Sequence, residues 1–311
     1  MVLNEMLDGT YTAIVTPRDE SLNIDYDKLR ELVDGQVEGG VSGLVVMGTT
    51  GESSYIDFPG SVGRSCYRRM IETVRNQADK SERHVPIIAG VCSPDILEVV
   101  EKTRVARDCG ADAGLLTPVP YVKQRQNGIR DYFLDVAEHG SLPIVAYDVA
   151  SRVGNSIEVS TLGEIARHER IIAIKAATGD MGKIQGYVNE AYQVNFTRSN
   201  KFKVFSGDDA TSYMAIDHGA SGVVSVISNV APKMFVQAIQ HKLDKDSRAG
   251  DLFGTLIPMC QLSMEYGNPM TIKEMMRING FDVGNCAREL GFLEPGELND
   301  LENRMRGVKL E

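Results

Sequence analysis

The segment IIAIKAATGD, residues 171–180, places the ammonium group of Lys175 at the end of an apolar run. Burying a charge is costly unless it is paired or gives up its proton. Two readings follow. Lys175 is a strand-end lysine whose flexible stem reaches water, or it is a lysine held neutral so that its amine attacks a carbonyl. Other reactive side chains follow similar apolar runs. In GTTGES (48–53), Gly48 and Gly51 bracket Thr49 and Thr50 and allow a tight turn with exposed N–H groups, a nest suited to a carboxylate or phosphate. PIVAYD (143–148) ends in Tyr147 and Asp148 and is followed by VASRVG with Arg152. FKVFSG (202–207) leads into Gly207 and Asp208. Each feature has an ordinary explanation: a plain turn, a packed ring, a solvated loop charge. Their combination fits covalent capture of an α-keto acid. The amine condenses with the ketone, the nest and Arg152 hold carboxylates, and the phenol moves the protons that imine formation requires.

Such groups converge only if the strands that carry them end on one side. Apolar runs recur at 12–17, 43–48, 85–90, 113–118, 143–148, 171–176, 202–207 and 222–227. All are rich in Val, Ile or Leu without clean polar alternation, as expected for strands buried on both faces. Helical periodicity lies between them. Residues 94–109 are predicted as a helix with Ser93 as N-cap, Pro94 in the first turn and Gly110 as the stop. Its apolar face is Ile96, Val99, Val100 and Thr103; Leu29, Leu32, Val33 and Val37 form another, and Ser160 opens a third with Leu162, Ile165 and Ala166. The alternation predicts an α/β fold, a TIM (β/α)8 barrel, whose chemistry collects at the C-terminal strand ends. A doubly wound sheet would carry a glycine-rich turn after its first strand, and TPRDESLNID (16–25) has none. Beyond about residue 236 only helical periodicity remains. The expected division is a barrel at 1–235 and a small C-terminal helical domain at 236–311.

The net charge of −10, from 33 basic and 43 acidic side chains, argues against nucleic-acid and anionic-membrane surfaces. No apolar run is long enough to span a bilayer, and the first residues, MVLNEMLDGTYT, carry acids and lack a long apolar core, so no secretory signal is expected in them. The five cysteines are scattered without a Cys-x-x-Cys pair, which suits reduced thiols in the cytoplasm. The five histidines show no metal-ligand spacing. Asn195-Phe196-Thr197 is read as a chance glycosylation pattern.

In order and spacing, GTYTAIVTP, GTTGES, YDVASRVG, IKAATGD, SGDDAT, GVVSVISNVAP and NPMTIKEMM resemble one family across nearly the whole chain. It is the dihydrodipicolinate synthase and N-acetylneuraminate lyase family of class I pyruvate aldolases. The threonine pair of GTTGE, the SNVAP segment, Asn268-Pro269 with Lys273, and Arg152 resemble the synthase branch. The resemblance implies a lyase of lysine and diaminopimelate biosynthesis that joins pyruvate to L-aspartate 4-semialdehyde without metal or organic cofactor. It implies a homotetramer, a dimer of dimers. By position, Lys175 forms the Schiff base, Tyr147 transfers protons, and Thr49 relays them. Thr50 holds the pyruvate carboxylate, Arg152 binds the carboxylate of the aldehyde, and Gly207 and Val224 line the site.

Two segments depart from the family pattern. TPVPYV (117–122) lacks the usual adjacent tyrosines, the second of which completes the relay, often in a neighbouring subunit; Tyr121 is the candidate for that part. Asp148 and Ala150 stand where Asn and Pro are usual, and Asp148 adds a negative charge near a site for two anions. The readings left open are another pyruvate-dependent Schiff-base aldolase of the N-acetylneuraminate lyase type, or an inactive barrel acting as a partner subunit. Phe58, Ser61 and Pro94 occupy positions that bind feedback lysine in regulated members, and only Glu98 resembles an inhibitor ligand. The expectation is weak or absent lysine inhibition.

Overall fold

The structure is a computed structural model, described for residues 7–55, 61–308 and 310. In chain order the strands and helices are β1 (Gly9–Ala13), α1 (Tyr26–Glu38), β2 (Gly43–Val46), α2 (Ser61–Ala78), β3 (Ile87–Gly90), α3 (Ile96–Asp108), β4 (Ala113–Leu116), α4 (Gln126–His139), β5 (Ile144–Asp148) and α5 (Ala150–Val153). They continue as α6 (Val159–Ile165), β6 (Ile171–Ala176), α7 (Met181–Val194), β7 (Lys203–Ser206), α8 (Ser212–Asp217), β8 (Gly222–Ser225), α9 (Pro232–Leu243), α10 (Arg248–Glu265), α11 (Met270–Ile278) and α12 (Pro295–Met305). The strands follow one another in a closed barrel, β1 to β8. This is the expected (β/α)8 fold, and C-terminal helices follow it.

Apart from β6, the strands are shorter than the apolar runs that announce them. The first run extends to Pro17, but β1 ends at Ala13. Ile14 and Val15 are buried, yet Val15 N–H donates to Asn229 Oδ1 (3.2 Å) instead of continuing a ladder. The helix expected over 94–109 starts later, because Asp95 is its cap and accepts from Leu97 N–H. Ser93 Oγ instead accepts from Asp95 N–H (3.2 Å) and donates to Glu98 Oε2 (3.0 Å). Gly110 does take the left-handed conformation past the helix end, with φ +89°.

Two compact units make up the chain: Met1–Gly9 with Pro86–Val224, and Thr10–Val85 with Ser225–Glu311. The first holds β3 to β7 and most of β8. Its core brings together Phe133, Ile144, Ile174, Ile184, Tyr187 and Phe202, under helices that bury one apolar face against the strands. The second holds most of β1, with β2, α1, α2 and α9 to α12. There α9 lies against α10, and the Phe235 and Phe253 ring centroids are 6.4 Å apart. On α1 the buried fourth position is Gln36, not Val37. Gln36 accepts from Thr12 Oγ1 (2.6 Å) and donates to Ser228 O (2.9 Å), so a polar residue on the apolar face ties α1 to β1 and to the segment after β8.

Candidate active site

In the first unit, β5 and β6 are parallel neighbours with Tyr147 opposite Lys175. Partners in register project to the same face of a sheet. Both side chains are buried, Lys175 to 5% exposure and Tyr147 to 6%. Lys175 Nζ lies 4.3 Å from the Tyr147 ring centroid, and among the described residues no carboxylate pairs with it. The amine therefore meets an aromatic face where a structural lysine would meet an anion. Gly207, just past β7, packs flat on the lysine stem. A Cβ there would sit 2.9 Å from Lys175 Cε and 3.0 Å from Ala177 Cβ, so the position admits no side chain without moving the lysine. Val224 is buried on β8.

Adjacent strand residues face opposite ways, and this disposes of Asp148. While Tyr147 shares a face with Lys175, Asp148 turns outward to α7. Its Oδ2 accepts from Lys183 Nζ (2.5 Å) and lies 2.9 Å from Tyr187 Oη; its Oδ1 accepts from Ile157 N–H (3.0 Å) and Ser156 Oγ (3.3 Å). The negative charge expected to disturb an anion site is buried and paired on the other side of the strand. Burial, and then the Asp148 charge, holds the Tyr187 hydroxyl far above the usual phenol range.

Arg152 is exposed on α5. The loop after β4 carries Tyr121 in the left-handed region at φ +74°. The Tyr121 ring is fully exposed, so within one chain it is not brought to Tyr147 and Lys175. Its N–H donates to Val153 O (3.3 Å).

The glycine-threonine turn belongs to the second unit. Thr49 is exposed in the turn after β2. Thr50 is buried, and its Oγ1 accepts from Asn268 Nδ2 (2.9 Å). The turn is closed by Glu52 N–H to Thr49 O (3.0 Å) and Ser53 N–H to Gly48 O (3.3 Å). Glu52 pairs with Lys273 Nζ (2.6 Å) and Arg18 Nε (2.9 Å) and accepts from Ala287 N–H (2.7 Å). Lys273 also donates to Thr16 O (2.6 Å) and Asn285 O (2.9 Å). Burial pulls its ammonium below the ordinary value, and Glu52 opposes the shift.

The sequence profile of the dihydrodipicolinate synthetase family matches residues 6–305. The chain belongs to this family. A 4-hydroxy-tetrahydrodipicolinate synthase of Methanothrix thermoacetophila is 33% identical over 280 residues, 90% of this chain and 89% of that one. The crystal structure of dihydrodipicolinate synthase from Thermotoga maritima has TM-score 0.90 at 26% identity, covering 98% of this chain and all of that one. A structure described as the first monomeric dihydrodipicolinate synthase variant has TM-score 0.89 at 27% identity and covers 100% of this chain and 99% of that one.

Lys175 and Tyr147 stand out in the sequence, whereas Glu52 carries no assigned part there and Lys273 enters only as a point of resemblance. One signal was available. Lys273 interrupts the apolar face of Met270, Ile272, Met275 and Met276, as Lys175 ends an apolar strand. The roles of Lys183 and Tyr187 leave no comparable mark, because their partner Asp148 lies on another element. Of the positions expected to bear on lysine inhibition, Phe58 lies outside the described residues. Glu98 is occupied by Lys102 Nζ (2.9 Å) as well as by Ser93.

Proposed function

We propose that this chain is a 4-hydroxy-tetrahydrodipicolinate synthase, a lyase that condenses pyruvate with L-aspartate 4-semialdehyde on Lys175. The carrying observation is the buried Lys175 amine 4.3 Å from the Tyr147 ring centroid, in a chain of the dihydrodipicolinate synthetase family. The amine adds to the pyruvate ketone, and loss of water leaves an imine. Removal of a methyl proton gives an enamine, whose carbon attacks the aldehyde. The amine of the semialdehyde then displaces Lys175 as the ring closes, returning the free enzyme. Each step moves a proton; Tyr147, with its ring against the amine, is the assigned shuttle, and Thr49 is the assigned relay hydroxyl. Thr50 receives the pyruvate carboxylate, Arg152 the carboxylate of the semialdehyde, and Gly207 and Val224 shape the floor.

We place Tyr121 in the relay of a neighbouring subunit, which its exposed ring favours. This requires an oligomer, and we assign a homotetramer; the relative described as a monomeric variant makes that a point to measure. We keep residues 1–235 as the catalytic barrel and 236–311 as the helical domain. No helix of the described residues is long and apolar enough to cross a membrane, and we assign the enzyme to the cytoplasm.

The test is borohydride reduction in the presence of pyruvate, followed by peptide mass analysis. The expected result is a reduced pyruvate adduct on Lys175, absent in Lys175→Met. Turnover with aspartate semialdehyde and none with N-acetylneuraminate completes the assignment. Trapping with the opposite substrate preference would select the lyase-type alternative, and no trapping would select an inactive barrel.

A further inference from the structure

We propose that Asp148 is the positioning residue of the aldehyde subsite, holding the loop that carries Arg152 and, through it, the loop that carries Tyr121. The proposal rests on the function proposed above. Asp148 is 2% exposed and closes the segment from β5 to α6. Ile157 is held at both backbone groups, its N–H by Asp148 Oδ1 (3.0 Å) and its carbonyl by Tyr187 Oη (2.5 Å). Ser156 Oγ donates to Asp148 (3.3 Å) and accepts from Lys183 Nζ. Lys183 in turn joins the opposite carboxylate oxygen. The start and end of the Arg152 loop are thus fixed to each other and to α7.

A second set of bonds fastens the neighbouring loop to this one. Asn155, 5% exposed, donates from Nδ2 to Val119 O (2.7 Å) and Val122 O (2.6 Å), and its Oδ1 accepts from Gln124 N–H (2.9 Å). Lys123 Nζ donates to Gly154 O (2.9 Å), and Tyr121 N–H reaches Val153 O. The Tyr121 loop therefore rests on the 153–155 backbone, which Asp148 anchors two residues further on.

The chemistry requires an acid here. Ile157 N–H, Ser156 O–H and Lys183 N–H all point at one carboxyl group, and Tyr187 Oη, whose proton goes to Ile157 O, lies 2.9 Å from it. An ionised carboxylate is acceptor-only and accommodates all three donors. An amide would turn its own N–H donors toward some of these donors and would leave the Lys183 ammonium without an anion. The same acid that looked hostile to an anion site is the anchor for its arginine.

The experiment compares Asp148→Asn and Lys183→Met with wild type in steady-state kinetics and hydrogen exchange. Loosening the Arg152 loop misplaces a carboxylate contact without touching the amine. The expected result is a rise of about tenfold in KM for aspartate semialdehyde in either variant. KM for pyruvate and the yield of borohydride-trapped adduct on Lys175 stay within about twofold of wild type. Amide exchange quickens at 119–124 and 150–157, and the double variant is less impaired than the sum of the two single ones. Should Asp148→Asn not fold, Ser156→Ala carries the test with a smaller rise of the same selectivity. Equal changes in both KM values, or an unchanged KM for the semialdehyde, would overturn the positioning role. A wild-type protein that traps no pyruvate would instead sink the functional reading beneath it.

Discussion

Two lysines pose the same physical problem and resolve it in opposite ways. Lys273 is 3% exposed and meets Glu52 at 2.6 Å plus two backbone carbonyls; it is a structural cation. Lys175 is 5% exposed and meets the ring of Tyr147, with no carboxylate paired to its amine among the described residues. Glu52→Gln should therefore act on stability. It leaves a buried ammonium without its anion, and the expected loss is about 3–5 kcal/mol in urea unfolding. A loss below about 1 kcal/mol would mean that Lys273 sheds its charge or finds water. Feedback belongs to this scale too. With Glu98 already bonded to Lys102 and Ser93, lysine titrated into the millimolar range should leave turnover unchanged; strong inhibition would show that another site exists.

Among the elements, β6 depends on the segment that precedes it. Arg198, past the end of α7, donates to His168 O (2.8 Å), Glu169 O (3.0 Å) and Asn200 O (2.8 Å), and also to Ala166 O. This planar donor set holds the turn between α6 and β6. A lysine cannot reproduce the fork, so Arg198→Lys should cost about 2–3 kcal/mol in thermal or urea melts. Melts that coincide with wild type would show that the turn stands without it. The helices show how far local pattern carries. Ser93, Pro94 and Gly110 have the pattern of one helix's punctuation; Gly110 does stand past its end, while capping passes to Asp95 because its carboxylate reaches Leu97 N–H. Asn195, which fits a glycosylation pattern, spends its amide on Phe202, donating to its carbonyl (3.0 Å) and accepting from its N–H (2.6 Å).

For the whole molecule, burial couples stability to pH. The Cys286 thiol is pushed from 9.0 up to about 12, chiefly by burial. In the unfolded chain it ionises near 9 and in the native chain near 12, so between these values the unfolded state binds fewer protons. The stabilisation is complete below about 9 and is lost as pH rises toward 12. Tyr26, also raised to about 12 by burial, adds to the upper part of that slope. Denaturant midpoints should therefore fall across this range, and Cys286→Ala should flatten the decline; an unchanged slope would place the cause elsewhere. Sedimentation of the same preparation gives the oligomeric state on which the Tyr121 assignment depends.

Sequence by itself determined the repeat of buried strands, the barrel it implies, and the amine placed at the end of an apolar run, because these follow from local pattern and residue type. It also carried the family motifs in order. Tertiary structure decided what those residues meet. The β5–β6 register sets Tyr147 opposite Lys175, and strand alternation sends Asp148 outward to Lys183 and Tyr187 on α7. The turn after β2 is tied through Glu52 to a lysine more than two hundred residues later. These outcomes rest on contacts between distant segments, whose energies no short stretch of chain records.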